Sequence, residues 1–132
     1  MASDLVLGKF ELSKSDKFDD FLSELGVNMV KRKVACAATP VITIAKDGDE
    51  YTMKTASTFK TSEIKFKLGE EFDEERQDGA KVKSTITADG NKLVHVQKAD
   101  KNVEIVREFT QEGMNAVATV NHVVSTRFYK RL

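Results

Sequence analysis

The chain of 132 residues has one cysteine, one proline and no tryptophan. The lone Cys36 excludes an internal disulfide and makes a reducing compartment the natural setting. With only Pro40 and no Ser/Gly-rich stretch, no linker is visible, and a single domain over 1–132 is expected. Neither sign of charge is in excess: 21 basic and 21 acidic residues give a formal net charge of zero. The global signal of a nucleic-acid binder is therefore missing, and no such partner is expected. Apolar runs are short, and none approaches the roughly 18 residues of a spanning helix. Met1 to Phe10, with Asp4 inside it, does not read as a signal peptide.

What is present is a rhythm. Turn-like pairs recur at roughly ten-residue spacing: Asp47-Gly48, Leu68-Gly69, Asp78-Gly79, Asp89-Gly90, Asp100-Lys101, Glu112-Gly113 and Asn121-His122. Segments rich in Val, Ile, Thr and Phe lie between them, as in consecutive antiparallel hairpins. Residues 16–38 differ. Phe18, Phe21, Leu22 and Leu25 follow the spacing of one helix face, with Asp16 as the expected N-cap, Asp19 in the first turn and Gly26 as terminator. Asn28 is placed to cap a second helix with Val30, Val34 and Ala38 on one side, ended by Pro40. Leu7 to Leu12 alternates weakly, as a first strand would. One strand, two short helices (about 16–25 and 28–38) and about nine further strands follow from these patterns. Ten strands need closure or a second layer to protect their edges.

Strand parity carries the functional argument. In residues 103–110 the apolar face is Val103, Ile105, Arg107 and Phe109, which puts Arg107 among inward residues. Residues 51–59 group Tyr51, Met53, Thr55, Ser57 and Phe59. In the last strand Ser125, Arg127 and Tyr129 share a face, and parity alone does not choose between it and Val124, Thr126, Phe128 and Lys130. An enclosed arginine stays charged and needs an anion or many acceptors. The residues alone leave two readings open: a hollow that receives an anionic head group, or arginines paired with a buried Asp or Glu.

Several runs resemble the fatty acid-binding protein family and its cellular retinoid-binding relatives. Gly8-Lys9-Phe10-Glu11-Leu12 followed by Phe18-Asp19-Asp20-Phe21-Leu22 is similar to the family signature. Ser57-Thr58-Phe59-Lys60-Thr61, Phe66-Lys67-Leu68-Gly69-Glu70-Glu71-Phe72-Asp73-Glu74, Asp89 to His95, Val106-Arg107-Glu108-Phe109 and Thr126-Arg127-Phe128-Tyr129-Lys130 resemble the heart, muscle and adipocyte branch, with a leaning toward invertebrate members. The likeness covers the whole chain. It implies a ten-stranded up-and-down antiparallel β-barrel, calycin-like, capped by a helix-turn-helix lid. It implies a carboxylate site of Arg107, Arg127 and Tyr129, with Arg127 and Tyr129 in direct contact and Arg107 acting through water. Phe18, Leu22, Val34, Met53 and Phe59 would line the tail or portal, and Asp78 would border the cavity. The expected ligand is a long-chain fatty acid, carried in the cytoplasm, with nuclear entry compatible, by a monomer without cofactor, metal or enzymatic activity. A retinol binder would place uncharged residues, commonly Gln, where the two arginines stand. The competing roles are a carrier of retinoids or other bulky lipids, a lipid-converting enzyme and a membrane-associated structural barrel.

Some positions depart from the family pattern. Lys17 stands where the signature prefers Asn, His or Gly, Phe10 replaces the common Trp, and Ile42 replaces a Thr near the head group. Ala116 and Ala118 replace larger aliphatics, which widens the cavity toward bulky or kinked ligands if both point inward. His95 and His122 are expected on the surface, Cys36 as a buried or half-buried inert thiol, and Glu70 to Arg76 as a solvated acidic edge. No Cys/His/Asp spacing suggests a metal. Lys31-Arg32-Lys33 with Lys60 is either a solvated face or a site of transient contact with anionic membranes.

Overall fold

A computed structural model describes residues 2–76 and 79–132. A 3₁₀ turn at Asp4–Val6 precedes β1 (Gly8–Asp16), α1 (Phe18–Leu25) and α2 (Met29–Ala37). Nine strands follow: β2 (Val41–Asp47), β3 (Glu50–Ala56), β4 (Thr61–Lys67), β5 (Phe72–Glu75), β6 (Lys81–Asp89), β7 (Lys92–Lys98), β8 (Val103–Phe109), β9 (Gly113–Val120) and β10 (Val123–Arg131). Consecutive strands pair antiparallel, and β1 pairs with both β2 and β10, which curls the sheet into a barrel. The seam lies between β4 and β5, which are the two ends of the strand order. Phe66 and Phe72 stack across it at 6.0 Å, and the Gly69 amide donates to the Ile86 carbonyl at 2.8 Å. The hairpin rhythm thus gives the strand count, and an almost complete circuit manages the exposed edges.

The entry to the lid differs from the expectation. β1 continues past a register shift between Leu12 and Lys14 and stays paired as far as Asp16, opposite Thr126. Asp16 is therefore a strand residue and not the helix cap, because ladder pairing holds its backbone extended. Lys17 takes the cap position in the left-handed conformation (φ 60°, ψ 23°) without a side-chain cap bond. The family preference for Asn, His or Gly at this position has its reason here, since Asn and Gly adopt that backbone most readily. Gly26 ends α1 at φ 92°, its amide donating to Leu22 and Ser23 carbonyls. The Asn28 side chain accepts from the Lys31 amide and starts α2.

The interior divides into two apolar clusters. The larger contains Val6, Phe10, Phe109, Met114 and Tyr129. Phe10 fills the position of the common Trp, with its ring edge-on to Phe109 at 5.5 Å. Arg131 closes that end. Its guanidinium lies 4.7 Å from the Phe10 ring centroid and donates to the Leu5, Leu7 and Thr110 carbonyls. The second cluster joins Phe18, Phe21, Leu22 and Leu25 of α1 to Val103 and Val120. Lys101 donates to the Glu24 carbonyl, and Asn121 Nδ2 donates to Glu24 Oε2 at 2.6 Å, which ties α1 to two barrel turns. α2 buries no residue. Arg32 holds it to α1 and the linking segment through Asp19 (2.9 Å) and the Val27 carbonyl (2.8 Å).

Lys17→Gly is expected to raise stability by about 1 kcal/mol, because the left-handed backbone is strained for a residue with a β-carbon. Urea unfolding measures it; a loss of stability would show that the lysine side chain outweighs the strain.

Candidate functional site

Between the two clusters the inward faces turn polar. Ser84, His95, Gln97, Ser125 and Arg127 are all buried. All but Ser84 line a cavity of about 150 Å³ whose walls also include Ile42, Met53, Arg107, Ala116 and Tyr129. A wider space of about 460 Å³ opens beneath the lid, walled by Leu22, Val34, Ala38, Phe59 and Lys60. The two share Phe18, Thr55, Ser62, Glu75 and Arg127 as walls. Taken together they fall within the roughly 300–1,000 Å³ typical of small-molecule sites.

Register places the arginines. Arg107 on β8 and Arg127 on β10 both pair with Ala116 of the intervening β9. Their backbones are therefore two strand spacings apart, roughly 10 Å, and only a methyl group stands between them. Gly113 permits this packing of β9 against β10, because a β-carbon there would lie 2.0 Å from the Tyr129 carbonyl oxygen. Arg127 is 7% exposed, and its guanidinium carbon sits 3.7 Å from the Phe18 ring centroid and 5.7 Å from that of Tyr129. Such stacking supports a cation without neutralising it. Its Nε has no hydrogen-bond partner among the described residues, and neither has Ser125 Oγ on the same face. Burial lowers the pKa of both guanidinium groups, but arginine starts so far above neutrality that both stay charged.

Arg107 is placed differently. Its Nη1 lies 3.0 Å from His95 Nδ1, and His95 Nε2 lies 2.8 Å from Glu74 Oε1. A guanidinium can only donate, so Nδ1 accepts and Nε2 carries the proton that goes to Glu74. The same carboxylate oxygen accepts from Ser84 Oγ at 2.8 Å and Gln97 Nε2 at 3.2 Å. Burial pushes the Glu74 carboxyl up, but the bonds from His95, Ser84 and Gln97 outweigh it and hold the carboxyl below its usual range. Burial, reinforced by the Arg107 charge and opposed by Glu74, lowers the His95 pKa and keeps the imidazole neutral.

Three surface expectations are corrected. His95 is buried at 1% exposure, whereas His122 is exposed. Glu74, in the stretch read as a solvated edge, points into the barrel. Cys36 is exposed on α2, and partial burial pushes its thiol pKa up. The alternation Leu93, His95, Gln97 on β7 carried the missing signal, since all three are inward. Joining Glu74 to His95 needed the position of β5 around the barrel, which no local pattern supplies. Among the expected residues, Arg127, Tyr129, Phe18 and Met53 meet at the inner cavity, with Arg107 beside them. Ile42, Ala116 and Ala118 also line it. Leu22, Val34 and Phe59 line the wider space beneath the lid, which reaches Arg127 but not Arg107. Ser57 and Phe59 are in the turn after β3 and not in the strand, with Ser57 Oγ bonded to Phe59 and Lys60 backbone. Asp78 lies outside the described residues. No described group of three or more His, Cys, Asp or Glu is placed to hold a metal, and no described helix is long and apolar enough to cross a membrane.

Comparison with known proteins gives one family. Residues 7–132 match the lipocalin / cytosolic fatty-acid binding protein family. A fatty acid-binding protein of Tyrophagus putrescentiae is 61% identical over 94% of this chain and 95% of its own. A muscle fatty acid-binding protein of Schistocerca gregaria is 44% identical over 92% of each. The solved structure of a Schistosoma mansoni fatty acid binding protein in complex with arachidonic acid superposes with a TM-score of 0.94, at 42% identity, over 98% of this chain and 97% of that one.

His95 gives the site a pH signature. A histidine buried neutral takes up its proton on unfolding, so its contribution to stability is complete above its ordinary value, about 6.5, and is lost as pH falls below it. Glu74, held low, adds to the acid loss further down as pH falls through its depressed value. In urea unfolding, His95→Gln is expected to flatten the loss of stability between about pH 7 and pH 5. An unchanged slope contradicts a neutral buried imidazole.

Proposed function

The chain belongs to the lipocalin / cytosolic fatty-acid binding protein family, and from that premise we propose that it binds one long-chain fatty acid inside the barrel and carries it through the cytoplasm as a non-catalytic monomer. The observation that carries this reading is Arg127: a buried cation facing the cavity, stacked on Phe18, with no acidic residue paired to it among the described residues. A ligand carboxylate supplies the anion. The Arg127 guanidinium and the Tyr129 hydroxyl hold it directly, and Arg107, engaged by His95, acts at one remove. Net contributions of about 1.5–3 kcal/mol fit hydrogen bonds to charged groups.

The tail provides most of the affinity. Burial of about fourteen methylenes at roughly 0.8 kcal/mol each gives roughly 11 kcal/mol, against an association cost of several kcal/mol. Sub-micromolar binding follows. The small side chains of Ala116 and Ala118 on the cavity wall favour tolerance of kinked or unsaturated chains. Retinol, with no anion, would leave Arg127 unneutralised. An enzymatic role would require a free nucleophile or base inside, and both nitrogens of His95 are already engaged.

Transfer involves the mouth. Val30, Val34 and Phe59 are exposed at 74%, 40% and 61%, beside exposed Lys31, Lys33 and Lys60. This combination suits transient contact with anionic membranes, each lysine contributing at most about 1 kcal/mol. Raised salt is expected to slow fatty acid transfer to anionic vesicles, followed by fluorescence; an unchanged rate argues for release through water. For binding itself, Arg127→Ala is expected to weaken a fluorescent fatty acid about 10- to 100-fold in titrations of delipidated protein. Wild-type affinity in that variant would remove the carboxylate site.

A further inference from the structure

The geometry points to Glu74 as a specificity-determining residue: by neutralising Arg107 through His95, it sets the cavity to accept a single negative charge. This rests on the carboxylate site proposed above and concerns the valence of its head group.

The charges can be followed atom by atom. Arg107, neutral His95 and Glu74 form one hydrogen-bonded chain with links of 3.0 and 2.8 Å, so its formal charge is zero. Glu74 and His95 leave the chain little freedom, since their side chains are 12% and 1% exposed. Ser84 and Gln97 both donate to the same Glu74 oxygen, which fixes its ionised form. Arg127 has no such partner among the described residues. Of the other charged residues on the inner cavity wall, Glu75 is exposed to solvent and Arg76 Nη1 donates to the Lys101 carbonyl at 2.6 Å. Of the two arginines that share Ala116, only Arg127 is therefore left uncompensated. A monocarboxylate balances it. A dianionic head group brings a second charge for Arg107 to meet, and the charge of Arg107 is already balanced by Glu74 through His95. Ala116 leaves room between the two guanidinium groups, so charge rather than space decides against the dianion.

The test compares palmitate with hexadecyl phosphate at about pH 8, where a phosphate monoester is dianionic, by displacement of a fluorescent fatty acid. The wild type is expected to prefer palmitate. Glu74→Gln keeps the shape and an acceptor oxygen but frees a second positive charge, and the preference should shift toward the phosphate about tenfold or more. Arg107→Gln leaves Glu74 uncompensated and should weaken palmitate about tenfold. Adding Glu74→Gln to Arg107→Gln removes the uncompensated negative charge and should improve palmitate binding about threefold or more over Arg107→Gln alone. If Glu74→Gln alone does not fold, the Arg107→Gln and double variants still carry the comparison. An unchanged ligand ratio in Glu74→Gln, or a double variant no better than Arg107→Gln, overturns the assignment of Glu74. Failure of the wild type to bind either amphiphile overturns the carrier reading instead.

Discussion

A guanidinium enclosed by the fold but not neutralised by it raises the free energy of the protein until an anion arrives. Arg127 is in that position, and much of the molecule reads as support for it. Phe18 gives its flat face to the cation, and Tyr129 stands beside it on β10. An isolated buried charge is costly, and part of the hydrophobic stabilisation of the two clusters must offset it. On the proposed function, carboxylate binding returns that energy. Ligand binding and folding stability are thereby linked, since any ligand that binds only the native state stabilises it.

The two ends of the barrel are anchored unequally. Arg131 and the Phe10–Phe109 pair close one end with side-chain-to-backbone bonds and a dense apolar cluster. At the other end α1 is tied to two turns, while α2 has no buried residue and is held mainly through Arg32. The proposed head-group site lies on the strands, where Arg107 and Arg127 both pair with Ala116. The entrance lies under the less anchored helix. Firm anchoring around the two arginines and looser anchoring at the mouth have the same source, the uneven distribution of buried area.

Hairpin spacing and helix periodicity made the strand count and both helices legible, because those patterns are local. Parity put Arg107 on an inward face, and the family resemblance chose the face of β10. What the chain did not disclose locally were pairings across the barrel. Glu74 sits in an acidic run typical of a surface, and His95 lies between Val94 and Val96 without any motif; two successive ladder registers, β5 with β6 and β6 with β7, bring them together. Asp16 misled for a related reason, since its residue type suits a helix cap while its ladder partner Thr126 lies 110 residues away. Of the two readings left open for the arginines, Arg107 follows the second, linked through His95 to the largely enclosed Glu74, and the first is the one proposed for Arg127.

The most direct measurement observes the ligand's own carboxyl group. Palmitate labelled with ¹³C at the carboxyl carbon, bound to the delipidated protein, can be titrated by NMR. Beside Arg127 the charged form is favoured and the pKa is lowered, so the bound signal should keep its ionised shift well below the ordinary carboxylate range of about 4–5. A bound carboxyl that titrates within that range, as one exposed to water would, contradicts the account.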